Sequence, residues 1–414
     1  MVPNGWMQAT LGDLVHKSAF GPRFTSELYS KDGAIGTIRT TDLYNEGEIN
    51  YTTIPYADLD ISQYEEHVLN EGDLLITRSG TCGIPCIFTE QEKPIIAGAF
   101  LIRFQLNEKV DSKFLHEVLK SAPIQSNIKR MAAGGVQKNL TGTSLKTLHL
   151  ALPPLLEQRK IAKILSTWDK AISTTEKLIE TSKQQKKALM QQLLTGKKRL
   201  VNPETGKVFE GKWEEVHIGD ICEVNPKKFP EPHNGLVSFI PMDAVSEDAK
   251  LLRTEVRKYT DVSKGFTSFK DTDTLIAKIT PCFENGKGAK VTGLENGVGF
   301  GSTEFHVLRS KQGICPNFVY FITNTSAFRV RGEMNMQGSA GQKRVTTDYL
   351  KLYKVSIPKE LSEQQKIASA LTAADKEIAV LEAKLAHFKQ EKKALMQQLL
   401  TGKRRVKVDE MEVA

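Results

Sequence analysis

At 414 residues the chain is long enough for two or three domains, and 40% hydrophobic residues with a mean hydropathy of −0.32 are ordinary for a soluble protein. No apolar run approaches the roughly 20 residues of a membrane span, and the opening MVPNGWMQATLGD lacks the basic-then-apolar order of a secretion signal, so a cytoplasmic protein without membrane contact is expected. The net charge of +8 suggests a polyanionic partner, but residues 1–150 are slightly acidic and much of the excess sits in 151–200, so only local patches argue for nucleic acid.

The first block, residues 1–152, reads as mixed α+β. Short apolar runs at 73–77, 95–104 and 145–152 predict strands. A helix is predicted over 112–131, with Phe114, Leu115, Val118 and Leu119 on one face and Ser112 as its cap. From 118 to 156 there is no acidic residue, while Lys120, Lys129, Arg130, Lys138 and Lys146 are present beside the loop Gly134-Gly135. A one-signed face flanking a polar loop suits a phosphate backbone. The candidate DNA contacts in this block are Arg78, Ser79, Lys138 and Asn139.

Residues 157–200 recur 206 positions later at 363–406, with 25 of 44 positions identical and the run KKALMQQLLTGK repeated whole. This is an internal duplication. Neither copy has an interior Gly or Pro before its closing Thr-Gly, and apolar positions alternate in steps of four and three, the coiled-coil pattern. The first seam includes Leu165, Trp168, Ile172 and Ile179; the second includes Leu371, Ile378, Leu385 and Phe388. Both seams carry a polar fault at the same place, Lys186 and Lys392, which is explained if the helices pair. Antiparallel pairing sets Ile179 against Ile378, Ile172 against Leu385 and Trp168 near Phe388, with both lysine amines reaching water.

The second block, 201–357, echoes the first more faintly. Trp213 with Ile218-Gly219-Asp220-Ile221 matches Trp6 with Leu11-Gly12-Asp13-Leu14, and Pro316 opens a helix like that at 112. The stretch 305–347 holds a single acid, Glu333, against Arg309, Lys311, Arg329, Arg331, Lys343 and Arg344, again beside a Gly-rich loop. Lys278, Lys287, Gln342, Lys343 and Arg344 are the candidate DNA contacts here. The fourth segment, 358–414, is the second helix and its tail. The pattern as a whole predicts two α+β domains alternating with two long helices, related by a pseudo-two-fold duplication.

Catalytic signatures are weak. The run Gly206-Lys207-Val208-Phe209-Glu210-Gly211-Lys212-Trp213 nearly spells a phosphate-binding loop, but Trp213 stands where a magnesium-holding Ser or Thr belongs. Asn225-Pro226-Lys227-Lys228-Phe229 only loosely matches the Asn-Pro-Pro-aromatic signature of adenine methyltransferases. Five scattered cysteines, Cys82, Cys86, Cys222, Cys282 and Cys315, fit buried free thiols better than a zinc site or disulfides. Neither a metal, a cofactor nor a catalytic residue is expected in this chain.

The decapeptide Pro153-Pro154-Leu155-Leu156-Glu157-Gln158-Arg159-Lys160-Ile161-Ala162 opens the first helix, and Glu363-Gln364-Gln365-Lys366-Ile367-Ala368 follows Pro358 in the second. With the duplication and the Leu-Thr-Gly-Lys helix ends, this layout resembles the specificity subunit of type I restriction-modification systems over essentially the whole chain. The second copy departs by losing one proline. The resemblance implies two target-recognition domains, at 1–152 and 201–357, spaced by conserved helices at 153–200 and 358–414. It implies double-stranded DNA as ligand and a bipartite target. The implied partners are two modification (methyltransferase) subunits and two restriction (endonuclease) subunits, which would carry S-adenosylmethionine, ATP and Mg. A different class, a coiled-coil scaffold joining two protein-binding blocks, would also explain the helices; steep salt dependence of duplex binding separates the two.

Overall fold

The two long helices occupy Leu155–Leu193 and Leu361–Leu399, 39 residues each, in a computed structural model that describes residues 2–44, 47–132, 139–339 and 341–408. Both end where a Thr-Gly pair lets the chain enter the left-handed region, at Gly196 (φ +69°) and Gly402 (φ +66°). A Cβ on Gly402 would stand 2.4 Å from Pro3 Cγ, so close approach as well as backbone conformation requires glycine there.

By internal contacts the chain falls into two compact units, one made of residues 1–176 and 383–414, the other of 177–382. Each unit therefore contains a segment of both long helices. In the first, Glu157, Asp169 and Glu176 meet Arg405, Lys392 and Lys389 at 2.6, 2.6 and 2.7 Å. Partner numbers fall as position rises, so the segments run antiparallel. The second unit repeats this with Lys183, Lys186 and Arg199 against Glu382, Asp375 and Glu363 at 2.8, 2.5 and 2.5 Å.

The globular part of the first unit is built on an antiparallel sheet in the order Val15–Phe20, Leu101–Leu106, Leu74–Thr77, Pro85–Ile87. A smaller sheet orders Tyr56–Ala57, Ile35–Ile38 and Ile95–Ala97, and the strand Met7–Thr10 pairs with His149–Leu152 just before the long helix. The second unit has the corresponding sheet Cys222–Val224, Phe305–Ser310, Thr274–Ala277, Gly288–Lys290 and the corresponding pair Glu214–His217 with Lys354–Ile357. Its smaller sheet has four strands, because Thr267–Lys270 is added beside Val298–Gly301.

Three local expectations change. The helix over 112–131 is two helices, Ser112–Lys120 and Ala122–Met131, since Pro123 can open a helix but not sit inside one, and the cap is Asp111, whose carboxylate accepts from Phe114 N–H. The run 95–104 breaks after Ala97, where the chain leaves the smaller sheet for the larger one, and Gly98 is required at the exit because a Cβ there would lie 2.7 Å from Ile38 O. The strand expected over 145–152 starts only at His149, because a short helix, Gly142–Lys146, capped by the Thr141 hydroxyl, takes up its first two residues.

The ends of the helices lie within the globular cores. In the first unit Ile161, Ala162, Leu165, Leu399 and Leu400 are buried together with Trp6, Leu11, Leu14, Phe104 and Phe114. In the second, Leu193, Leu194, Ile367, Ala368 and Leu371 are buried with Ile218, Phe318 and Phe328. At about 2 kcal/mol for a fully buried leucine, such contacts make each helix end part of a hydrophobic core. Among the pairing residues, Leu165, Leu371, Ile179 and Ile378 are buried, and Ile172, Leu385, Trp168 and Phe388 are half-buried. Trp168 and Phe388 stack edge to face at 5.6 Å, the contact expected of them.

The lysine faults are paired rather than simply reaching water as expected; the Lys186 side chain is 21% exposed and that of Lys392 10%. The Lys392 amine binds Asp169 at 2.6 Å and Glu117 at 3.0 Å. Lys186 binds Asp375 and lies 5.7 Å from the Phe321 ring centroid. An aspartate on the facing segment pairs each amine, which makes retaining its water unnecessary.

Candidate nucleic-acid interface

The helix-opening Glu-Gln pair is a latch rather than a ligand site. Glu157 accepts from Arg405 and from the Trp6 indole N–H, while Gln158 accepts from Asp111 N–H at 2.8 Å and donates to Pro153 O at 2.9 Å. In the second unit Glu363 takes Arg199, and Gln364 accepts from Cys315 N–H at 2.9 Å and donates to Pro358 O at 3.0 Å. Each latch ties the helix start to the opening of a globular helix. Loss of one proline in the second copy leaves it intact.

The sequence-predicted loop residues of the first unit converge. Ser79 and Asn139 form a β-bridge, Arg78 N–H donates to Phe100 O at 3.0 Å, and Arg78 O accepts from Leu140 N–H at 2.9 Å and from the Cys82 thiol at 3.0 Å. The Arg78 guanidinium lies 4.3 Å from the Phe20 ring centroid and donates from Nε to Asn139 Oδ1 at 3.3 Å. Lys138 and the Gly134-Gly135 loop lie outside the described residues. Phe20 and Phe100 were missed in the sequence; they are 44% and 55% exposed beside Arg78, at the ends of strands whose adjacency only the fold reveals. Phe100 also lines a cavity of 540 Å³ with Arg23, Tyr29, Arg39 and Thr37. Lys129 and Arg130 stay exposed.

The second unit places Lys278 and Arg344 in the same ladder positions. Lys278 N–H donates to Glu304 O at 2.9 Å, Val345 N–H donates to Lys278 O at 2.9 Å, and Ile279 bridges Arg344. By register Glu304 stands where Phe100 does, and Arg344 where Asn139 does. The Arg344 guanidinium is engaged by Glu304, at 2.9 Å from Nη2 and 3.0 Å from Nε, and by Gln342 O at 3.0 Å. That pair holds the Glu304 carboxyl below its usual range, with Lys278 adding to the effect. Any DNA contact by Arg344 competes with it. Gln342 and Lys343 are exposed on the turn, and Lys278 and Lys287 are half-exposed. Lys287 is separate from the turn: its N–H donates to Cys282 O and its C=O accepts from Ala277 N–H.

The acid-poor face here is partly consumed inside the fold. Arg309 pairs with buried Asp273 at 2.7 Å, and Arg329 sits among Phe283 and Phe328 and donates to Phe283 O and Gly286 O, burial pushing its pKa down to about 10. Asn225 supports the turn instead of forming a methyltransferase motif. Its Oδ1 accepts from Val307 N–H at 3.0 Å and its Nδ2 donates to His306 Nδ1 at 3.1 Å, while His306 Nε2 donates to Val345 O at 2.7 Å. This network fixes the neutral Nε2–H tautomer, and burial pushes the imidazole below its usual range.

Cys86, Cys222 and Cys315 are buried and Cys82 and Cys282 half-buried. Among the described residues no His, Cys, Asp and Glu cluster could hold a metal, and no helix is long and apolar enough to cross a membrane.

A family model described as the type I restriction modification DNA specificity domain matches the sequence twice, over residues 3–183 and 210–390. The sequence is 41% identical over 163 residues to the type I restriction enzyme EcoAI specificity subunit of Escherichia coli, covering 39% of this chain but only 27% of that protein. It is 26% identical to the putative type I restriction enzyme MjaX specificity subunit of Methanocaldococcus jannaschii, over 98% of this chain and 95% of that one. The fold is similar to the crystal structure of a type I restriction-modification S subunit from M. genitalium, with a TM-score of 0.59 at 16% identity, covering 97% of this chain and 98% of the other.

Proposed function

The chain belongs to the type I restriction-modification DNA specificity family, and from that premise we propose that it is the sequence-reading, non-catalytic subunit of a DNA adenine methyltransferase and restriction complex. The observation that carries the reading is the family match occurring twice in one chain, each time ending within a long helix. Two target-recognition domains, 1–152 and 201–357, each read half of a bipartite duplex target. The pairing of helix segments within each unit is read as one antiparallel coiled coil that spaces the two halves.

Arg78, Ser79, Lys138 and Asn139 in one domain, and Lys278, Lys287, Gln342 and Lys343 in the other, contact DNA, with Arg344 bracing the turn. Two modification subunits bring S-adenosylmethionine and the catalytic site; two restriction subunits bring ATP and Mg chemistry. This chain holds no cofactor and works in the cytoplasm.

The test is methylome sequencing of cells with and without the chain, paired with duplex binding by the chain and its modification subunit across a salt series. Bipartite adenine methylation that depends on the chain, and binding that falls steeply with salt, are expected. Salt-indifferent binding without chain-dependent methylation would leave the scaffold reading in possession.

A further inference from the structure

We propose that Arg78 reads a guanine in the half-site of the first domain, presenting its two terminal nitrogens to the O6 and N7 edge. The inference rests on the DNA-recognition reading above and names one residue, one base and one geometry within it.

The backbone of Arg78 is fixed on both sides, by Phe100 O and by Leu140 N–H, so its Cα cannot drift with the loop. The side chain is then oriented twice over. Nε donates to Asn139 Oδ1 at 3.3 Å, and the guanidinium carbon, Cζ, lies 4.3 Å from the Phe20 ring centroid. With Nε engaged, the free part of the donor fork is its end, Nη1 and Nη2, and neither has a partner among the described residues. End-on presentation of two parallel N–H groups matches the paired acceptors of guanine in the major groove.

A phosphate would accept the same donors, but three observations favour a base. Phosphate contacts tolerate a mobile cation, whereas this one is held before any ligand arrives, as base readout requires. The flank is apolar: Phe20, which faces the guanidinium, is 44% exposed, a surface that suits base edges and thymine methyls better than a charged backbone. Finally, the arrangement is specific to this domain. At the matching positions the second unit has Lys278 for Arg78, Arg344 for Asn139 and Glu304 for Phe100, and its only guanidinium there is already engaged by the carboxylate. Two copies of a general backbone clamp would not need to diverge at all three positions.

The test selects bound duplexes from a random-sequence library using the full chain with its modification subunit, for wild type, Arg78→Ala, Arg78→Lys and Asn139→Ala. Wild type is expected to select a motif with a guanine in the half-site that Arg78 governs. Arg78→Ala should lose discrimination at that one position by about ten- to hundred-fold, the other positions standing. Arg78→Lys keeps the charge and should recover overall affinity without recovering the guanine preference, and Asn139→Ala should weaken the preference partway. A uniform loss over all sequences, with the salt slope reduced by about one and rescued by lysine, means a phosphate contact and overturns the proposal while leaving DNA recognition intact. A relaxed position that is not guanine, or an unchanged motif, also overturns it. If wild type selects no motif at all, the functional reading itself has failed.

Discussion

Gln158 and Gln364 show how a short motif acquires meaning only in three dimensions. Both are 1% exposed; the Gln158 amide satisfies one backbone N–H and two backbone C=O groups, and the Gln364 amide one of each. Replacing either by Ala removes the partner of these backbone groups, so each variant should lose about 2 to 3 kcal/mol in urea unfolding, with an unchanged m-value. A smaller loss, under about 0.5 kcal/mol, would mean that water replaces the amide. His306 gives a pH-dependent case. Its folded pKa is depressed by burial, and the charged groups nearest in effect are Lys278 and Glu304. The unfolded chain therefore takes up the proton first, so the stability His306 contributes is present above its ordinary pKa of about 6.5 and is lost as pH falls from there through the folded value. Urea midpoints measured from about pH 7 down to about pH 5 should fall in wild type and much less in His306→Gln. Sequence reasoning reached Arg78, Ser79 and Asn139 because all three are polar loop residues near an acid-poor stretch. It missed Phe100 because exposure cannot be told from burial for an aromatic inside an apolar run, and Phe20 because only the fold brings its strand end to Arg78.

Helix periodicity was the most legible signal at the level of elements, and the Trp168–Phe388 contact follows from matching two apolar seams. What the seam could not convey was its polar faults, since apolar spacing says nothing about which acid faces which lysine. Lys392 joins three segments: its own helix, Asp169 on the facing helix and Glu117 on a globular helix. Burial opposes charge on Glu117, but a hydrogen bond from His116 together with Lys120 and Lys392 outweighs it and holds the carboxyl at about 2, against an ordinary 4.5. Stability from this cluster is thus full above pH 4.5 and is lost as pH falls from there toward 2. Lys392→Met leaves Glu117, 6% exposed, with the more distant Lys120 and His116 at 3.5 Å as its partners, and should cost on the order of 3 kcal/mol at neutral pH. Adding Glu117→Gln should recover most of that loss. Thermal melts of the four members of this cycle measure the coupling; additive losses would show that the lysine stem alone matters. In the second unit the equivalent lysine keeps its aspartate, Asp375, but meets Phe321 where Lys392 meets Glu117, so Lys186→Met strands a single, less buried carboxylate and should be milder.

For the molecule as a whole the duplication was legible from identity alone, and so was the alternation of sheet-rich blocks with helices. The composition of the compact units was not, because sequence order suggests that each helix belongs to the block before it, whereas residues 383–414 belong with 1–176. The breaks between units fall between Ile172 and Ile179 and between Ile378 and Leu385. One heptad inserted at both places keeps the seam and adds about 10 Å of helix. If the helices set the spacing of a bipartite target, library selection should return the same half-sites one or two base pairs further apart, at most about three at ~3.4 Å per pair. Changed half-site letters at the old spacing would sink the ruler reading. The split composition also bears on how the protein comes off the ribosome. Residues 177–382 form a contiguous unit that can close while synthesis continues, but the N-terminal block, made first, must wait for Leu399, Leu400 and Arg405 before Ile161, Leu165 and Glu157 are covered. The first unit is thus completed after the second, and through that interval an apolar surface at the start of the first helix stands open until residues 399–405 emerge to cover it.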